Sequence, residues 1–152
     1  MSTPLIQLNG VTRIYRKGSV ETHALRGLDL TVEEGEFVAI WGPSGSGKTT
    51  VLNLIGALDQ PTAGTVKLEG VELGGLSRKA LSRLRRDRIG FVFQAYNLIP
   101  VLTAFENAES VLALQGVAAA ERKERVLGIL EQVGLADMAD RRPHEMSGGQ
   151  QQ

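Results

Sequence analysis

The sequence predicts an α/β fold in which an antiparallel β region comes first, a strand–loop–helix unit follows, and a helical region is inserted after that. Three observations support this prediction. Short apolar alternations occupy the first part of the chain, a continuous apolar run (37–41) stands directly before a glycine-rich loop, and two amphipathic helical patterns lie between residues 103 and 134. With 152 residues, 42% of them hydrophobic and 22% charged, the chain has the size and composition of one globular domain.

The β region is expected to contain an edge strand and a hairpin. Residues 4–15 show apolar alternation interrupted by Asn9-Gly10, which indicates an edge strand and a turn. Residues 63–73 alternate around Gly70, which is typical of a hairpin or meander. Both segments therefore belong to the predicted antiparallel part of the fold.

Two other segments are predicted to be strands buried on both faces. A second alternation ends in a turn at Glu34-Gly35, and the apolar run 37–41 follows it. Residues 89–94 form a similar run. Continuous apolar runs of this length are typical of parallel strands that are covered by helices on both sides. Trp41, at the end of the first run, is accordingly expected to lie in the core.

Helical periodicity begins at Lys48 and recurs in three later segments. The apolar residues after Lys48 fall at helical spacing and end near Gly56. A short basic helix follows Ser77, a plausible N-cap, and its arginines are interpreted as a solvated face rather than a nucleic-acid contact. Residues 103–116 and 118–134 are amphipathic, and the second pattern ends in the glycine expected at a C-cap.

Composition limits the possible functions. Lys plus Arg and Asp plus Glu each number 17, so the formal net charge is zero, which argues against a domain-wide grip on nucleic acid or anionic lipid. The chain has no cysteine, which excludes disulfides, thiolate metal sites and cysteine nucleophiles. No stretch approaches the ~20 apolar residues of a membrane-spanning helix and no secretory signal is visible, so we expect a cytosolic protein.

Residues 42–49, GPSGSGKT, match the phosphate-binding pattern G-x-x-x-x-G-K-[ST] in full. Glycines let consecutive N–H groups point inward around a polyphosphate, and the helix beginning at Lys48 directs its positive end at the same anion. Lys48 is expected to reach the β- and γ-phosphates, and the Thr49 hydroxyl to ligate Mg²⁺. The flanking strand and helix patterns argue against a chance glycine-rich turn. The predicted fold is therefore a P-loop NTPase, although GTPases, kinases and ATPases all share this loop.

Tyr15, the loop 42–49, Gln94 and the SGGQ stretch of residues 147–150 together make the chain resemble the ATP-binding subunit of ABC transporters. The resemblance runs from about residue 5 to the end of the sequence. More narrowly, three segments resemble the branch for lipoprotein release and macrolide export: GEFVAIWGPSGSGKTTVLNLIGALDQPTAG (35–64), IGFVFQAYNLIP (89–100) and LTAFEN (102–107).

The resemblance implies a role for each of these residues. Tyr15 would stack on adenine, Lys48 and Gln94 would be the catalytic residues, and Thr49 and Gln94 would hold Mg²⁺. SGGQ, the signature motif of the family, would contact ATP held by a second subunit in a head-to-tail dimer. The implied nucleotide-binding residues are Tyr15, Gly42, Pro43, Ser44, Gly45, Ser46, Gly47, Lys48, Thr49, Thr50, Ser147, Gly148, Gly149 and Gln150.

Taken singly, these residues have simpler interpretations. Tyr15 could be a packed or surface tyrosine, and Gln94 a residue that only ends a strand. Ser147 with its glycines could be a helix N-cap and turn. Met146 stands where the family usually has leucine, an apolar exchange of similar volume. His23 and His144 have no neighbours at metal-ligand spacing and are interpreted as surface or loop residues.

The implied function is binding and hydrolysis of MgATP to power export or extraction of a substrate by a transmembrane permease. The domain would lie on the inner face of the plasma membrane through that partner, with no nucleic acid expected. Two alternatives remain: a soluble ABC ATPase acting on nucleic acid or ribosomes, and a nucleotide-binding fragment without catalysis. A gene for a membrane subunit nearby would favour transport.

The predicted domain is incomplete. We expect one nucleotide-binding domain with a β subdomain and P-loop core at 1–94, a helical subdomain at 95–146 and the signature motif at 147–152. In the family, an apolar strand ending in Asp-Glu and a later histidine follow the signature, and no such Asp-Glu run occurs in this sequence. The C-terminal part of the parallel sheet is therefore expected to be missing, with exposed apolar surface and little or no hydrolysis by this chain alone.

Overall fold

In the computed structural model of the protein, which describes residues 3–152, two pairs of strands separated by one helix come first, and helices follow them. Its strands are β1 (Ile6–Lys17), β2 (Val20–Val32), β3 (Ala63–Leu68) and β4 (Val71–Glu72). Its α-helices are α1 (Lys48–Ile55), α2 (Arg78–Arg88), α3 (Ala104–Leu114), α4 (Ala119–Gln132) and α5 (Gly148–Gln151), with 3₁₀ turns at Ala136–Met138 and Pro143–Glu145. This mixture is the α/β class that the sequence predicts.

The four strands form one antiparallel sheet in the order β2-β1-β3-β4. The prediction that residues 4–15 form an edge strand is wrong, because β1 pairs with β2 on one side and with β3 on the other. The predicted turn at Asn9-Gly10 is also wrong. Gly10, at φ 54°, forms a bulge inside β1 instead, and its N–H donates to Asp29 Oδ1 at 2.6 Å.

Several local predictions are confirmed. The hairpin around Gly70 forms between β3 and β4, and the turn at Glu34-Gly35 is present. Helix α1 begins at Lys48 and Gly56 is its C-cap. The Ala80 N–H donates to Ser77 Oγ at 3.2 Å, which makes Ser77 the N-cap of α2 as predicted.

The two predicted parallel strands do not form. Residues 36–42 and 89–93 have extended or irregular backbone with no strand partner among residues 3–152. Phe37 is 97% exposed, Val92 83% and Trp41 92%, so the prediction that Trp41 lies in the core is wrong. Apolar composition indicates that a segment can be buried, but a strand also needs a neighbouring backbone to bond with. The predicted exposure of apolar surface is confirmed.

The chain divides into two compact units, the first ending at Arg85 and the second spanning Arg86–Gln152; the sequence prediction sets the boundary after residue 94. In the first unit α1 packs against β2 and β3, and the most deeply buried side chains are those of Leu8, Val11, Leu54 and Val66. In the second unit α3 packs against α4. Its buried apolar side chains are Val126, Leu130, Pro143 and Met146.

Candidate functional site

The phosphate-binding loop holds its backbone in conformations that favour glycine. Gly45 has φ 79° and Gly47 has φ 91°, a region that other residues enter only at a cost. Inside the loop, the Ser46 N–H donates to the Pro43 carbonyl at 3.3 Å. Within residues 3–152 no acceptor is found for the N–H groups of Ser44, Gly45 and Gly47. A loop with several unpaired N–H groups is suited to bind an anion.

Gly47 joins this loop to β2 and to α1. A Cβ atom at this position would lie 2.6 Å from the Ala24 carbonyl oxygen and 3.1 Å from Leu25 Cδ2. Gly47 is also the N-cap of α1, where no side chain accepts a hydrogen bond from the first turn. The first-turn N–H groups and the positive end of the helix dipole therefore remain for a ligand.

Lys48 folds back across the loop. Its Nζ donates to the carbonyl oxygens of Gly42 and Pro43, each at 2.8 Å, and an ammonium group has three donors, so one remains for a phosphate oxygen. The next residue, Thr49, is exposed, so its hydroxyl is accessible to a metal ion, whereas Thr50 is buried. These donors and this hydroxyl fit a magnesium-bound polyphosphate.

Tyr15 and the phosphate-binding loop both lie close to residues 22–24 of β2. Tyr15 pairs with Thr22, two residues before Ala24, whose carbonyl touches Gly47. The Tyr15 hydroxyl donates to Asp59 Oδ2 at 2.8 Å, and the residue as a whole is 38% exposed. Tyr15 is thus a partly exposed tyrosine that is anchored at its hydroxyl end.

Gln94 belongs to the second unit. It is exposed and lies in a turn with Ala95, so the prediction that it ends a buried strand is wrong, because residues 89–93 form no strand. The residues after it are tightly bent: Tyr96 has φ 48° and Asn97 has φ 56°, and the Asn97 N–H contacts the Ala95 carbonyl oxygen.

The SGGQ stretch forms a capped helix start in the second unit. Ser147 Oγ accepts from the Gln150 N–H at 3.4 Å, and Gln150 Oε1 accepts from the Ser147 N–H at 2.8 Å. This reciprocal pair is a capping box, so the simpler interpretation as an N-cap holds structurally. Gln151 Nε2 adds bonds to the carbonyls of Pro143 at 2.8 Å and Met146 at 3.0 Å, which tie the turn to the buried Met146.

Tyr96 contacts this helix start, which sequence reasoning missed. A Cβ atom on Gly148 would lie 3.0 Å from the Tyr96 hydroxyl oxygen, so the turn after Gln94 and the SGGQ stretch lie side by side. The two are separated by about fifty positions in sequence, and no local pattern links them. The only sequence signal is an aromatic residue two positions after Gln94.

We expect Gly148→Ala to perturb the helix start more than Gly149→Ala, because a Cβ at Gly149 meets no atom within 4 Å. The expected difference in unfolding free energy is about 1 kcal/mol, since the Tyr96 side chain must shift. Thermal or urea denaturation measures it. Tyr96→Phe removes the contacting oxygen and should reduce the effect of Gly148→Ala; equal effects in both backgrounds would contradict the contact.

A carboxylate, that of Glu145, supports the turn that precedes the SGGQ stretch. Glu145 Oε2 accepts from the Arg142 N–H at 2.7 Å, and this bond, helped by the nearby charges of His144, Arg141 and Arg142, lowers the pKa of Glu145 below its usual 4.5. The stabilisation is complete above the usual pKa and is lost as the pH falls through the lowered one. This turn therefore keeps its carboxylate anchor at neutral pH.

Three further features concern metal ligands, membrane-spanning helices and the arginines of α2, and none of them indicates a particular function. Among residues 3–152 no group of three or more His, Asp or Glu side chains is placed to hold a metal ion. None of the helices in this range is long and apolar enough to cross a membrane.

In the basic helix α2, Arg85 Nη1 donates to the Ala57 carbonyl at 2.7 Å. Arg86 Nη1 donates to the Leu114 carbonyl at 3.1 Å and its Nε pairs with Asp87.

Residues 25–152 match the protein family described as ABC transporter. The chain belongs to this family. The loop 42–49 and the SGGQ stretch both lie inside the matched region, and Tyr15 precedes it. The family assignment that the sequence suggested is thereby confirmed.

Curated relatives include export proteins. The macrolide export ATP-binding/permease protein MacB of Azoarcus sp. (strain BH72) is 49% identical over 150 residues, or 99% of this chain. The pyoverdine export ATP-binding/permease protein PvdT of Pseudomonas fluorescens (strain Pf0-1) is 49% identical over 153 residues, or 100% of it. The chain spans 23% of each. An uncharacterized ABC transporter ATP-binding protein of Thermotoga maritima is 50% identical over 148 residues, which are 97% of this chain and 63% of the relative.

Solved structures agree with the fold. Two dimeric structures of the ATP-binding cassette MJ0796, one in a post-hydrolysis state bound to ADP and Pi, match with a TM-score of 0.90 at 45% identity. Each match covers 96% of this chain and 65% of the solved chain. The predicted class is therefore confirmed: a P-loop α/β domain with an antiparallel β part and a helical part.

Proposed function

We propose that this chain is the nucleotide-binding part of an ABC export system and that it binds MgATP. The observation that carries the proposal is the phosphate-binding loop itself. Its N–H groups at Ser44, Gly45 and Gly47 are unpaired within residues 3–152, and Lys48 Nζ is held beside them by two carbonyl oxygens. The 49% identity to two proteins named for export supports the choice of system.

In this proposal the residues act as follows. Lys48 and the loop amides bind the β- and γ-phosphates, the Thr49 hydroxyl ligates Mg²⁺, and Gln94 contacts the metal and orients water. Mg²⁺, when bound, neutralises charge that develops on the phosphate oxygens. We propose residues 1–94 as the β subdomain and P-loop core, 95–146 as the helical subdomain and 147–152 as the signature motif.

We further propose that two copies pair head-to-tail, so that Ser147, Gly148 and Gly149 of one copy contact the ATP held by the other. The dimeric state named for the MJ0796 cassette supports this arrangement. The names of the curated relatives support a permease partner, and through it a place on the cytoplasmic face of the membrane. The internal bonds of Arg85 and Arg86 leave these two groups less available to nucleic acid.

Lys48→Ala should raise the Kd for MgATP by about 10- to 100-fold, because the one charge-assisted hydrogen bond that the remaining Lys48 donor makes to the phosphates, roughly 1.5–3 kcal/mol, is lost. Isothermal titration calorimetry on the full chain measures this. The matched control is Lys79→Ala, which removes one exposed lysine from α2. Unchanged affinity in Lys48→Ala, or an equal loss in the control, would overturn the proposal.

ATP hydrolysis by this chain alone is expected to stay at background, because the sequence contains no apolar run ending in Asp-Glu to supply a general base. Phosphate release from the chain with MgATP measures it. Turnover above background that Lys48→Ala abolishes would show that residues within this chain suffice for catalysis. Binding without turnover, even when the chain is mixed with a complete homologue, would instead favour a purely regulatory nucleotide-binding role.

A further inference from the structure

Asp59 lies at the centre of a hydrogen-bonded cluster in the first unit. Its carboxylate accepts from Arg13 Nε at 2.9 Å, Arg13 Nη2 at 2.7 Å, the Tyr15 hydroxyl at 2.8 Å and the Gln60 N–H at 2.8 Å. The side chains of Arg13 and Asp59 are only 23% and 22% exposed. Four donors on one partly buried carboxylate define its position closely, and the Arg13 pair is bidentate.

Arg13 also covers one face of the Tyr15 ring. Its guanidinium carbon lies 4.5 Å from the ring centroid, within the range of a cation–π contact. The hydroxyl end of Tyr15 is hydrogen-bonded to Asp59, and the residue as a whole is 38% exposed. The ring is therefore fixed at one end, covered on one face and accessible elsewhere.

The cluster connects two parts of the proposed nucleotide site. Asp59 follows α1, the helix that begins at Lys48 in the phosphate-binding loop, while Arg13 and Tyr15 belong to β1. The same connection is reinforced nearby, because the Ile14 N–H donates to Thr62 Oγ1 at 3.0 Å and the Thr62 N–H donates to the Thr12 carbonyl at 2.8 Å. The tyrosine ring is thus held at a set distance from the helix that carries the loop.

We propose that Asp59 and Arg13 are positioning residues for the nucleobase. They hold the Tyr15 ring so that a purine base stacks on the face away from Arg13, while the phosphates lie in the loop at the other end of α1. This inference rests on the proposed function, since it assumes that the loop binds the phosphates. It assigns to Asp59 a role in binding the base alone, not the phosphates.

The test compares MgATP with magnesium tripolyphosphate, which has the three phosphates but no nucleoside. Asp59→Asn should raise the Kd for MgATP about fivefold, the lower end of what a base–aromatic stack contributes, and leave the Kd for magnesium tripolyphosphate unchanged. The full chain is titrated with each ligand by calorimetry. Glu21→Gln is the matched control, because Glu21 of β2 pairs with Arg16 of β1 at 2.8 Å, and within residues 3–152 no hydrogen bond joins Glu21 to Tyr15.

A second variant separates positioning from general stability. In a Tyr15→Ala background no ring remains to be positioned, so Asp59→Asn should no longer change the Kd for MgATP. The inference would be overturned if Asp59→Asn weakened the binding of both ligands equally. It would also be overturned if Asp59→Asn still raised the Kd for MgATP in the Tyr15→Ala background. If both ligands bind and depend on Lys48 while Asp59→Asn changes neither, the inference fails and the proposed function stands. If neither ligand binds the unaltered chain, both fail.

Discussion

Gly47→Ala is expected to raise the Kd for MgATP by about 100-fold, because the phosphate-binding loop cannot keep its conformation with a side chain at this position. The new Cβ would lie 2.6 Å from the Ala24 carbonyl oxygen, a backbone atom of β2 that cannot rotate away. The backbone is also at φ 91°, which costs a non-glycine residue about 1–2 kcal/mol. The loop would have to withdraw from β2 and so lose the alignment of its N–H groups.

Gly45→Ala is the control for this effect. Gly45 lies in the same loop at φ 79°, but a Cβ there meets no atom within 4 Å. Gly45→Ala should therefore show only the cost of the positive φ for a non-glycine residue, which raises the Kd for MgATP by about tenfold. Calorimetric titration with MgATP, together with thermal unfolding of both variants, distinguishes the two. Equal losses would mean that backbone conformation alone determines the loop, and that contact with β2 has no part in it.

The extent to which the site was predictable differs between its parts. The loop 42–49 and the start of α1 at Lys48 follow from a local pattern, because glycine conformations, helix capping and the adjacent lysine all act within a few residues. The Asp59 cluster was not predictable, because Tyr15 and Asp59 are 44 positions apart and meet only through the packing of α1 against the sheet. The same holds for Tyr96 and Gly148.

The strand predictions show a related limit. Helices α3 and α4 lie within one or two residues of their predicted ranges, since the bonds of a helix are made inside the segment. Residues 37–41 and 89–94 have the composition of buried strands, yet they form none here, because a strand requires a partner from elsewhere in the chain. The solved cassettes are longer, this chain covering 65% of them. Composition thus indicates that a segment is suited to a buried strand. The presence of a neighbouring strand determines whether that strand forms.

Gly64→Ala is expected to lower the unfolding free energy by about 2–5 kcal/mol, the sum of an unfavourable backbone conformation and a forced backbone shift. Gly64 has φ 84°, and a Cβ there would lie 2.5 Å from the Gly10 carbonyl oxygen and 2.6 Å from that of Asn9. These atoms form the bulge of β1, which pairs with both β2 and β3. The strain would therefore displace the strand that carries Arg13 and Tyr15.

Thermal unfolding of Gly64→Ala should show a fall in Tm of about 4–20 °C, and Gly18→Ala provides the comparison. Gly18 joins β1 to β2 at φ 61°, and a Cβ there meets no atom within 4 Å, so its variant bears the conformational cost without the clash. Because Tyr15 lies on the displaced strand, Gly64→Ala should also weaken the binding of MgATP more than the binding of magnesium tripolyphosphate. Equal stability of the two variants would mean that β1 and β3 separate easily at the bulge, and the sheet could not then hold the ring in place.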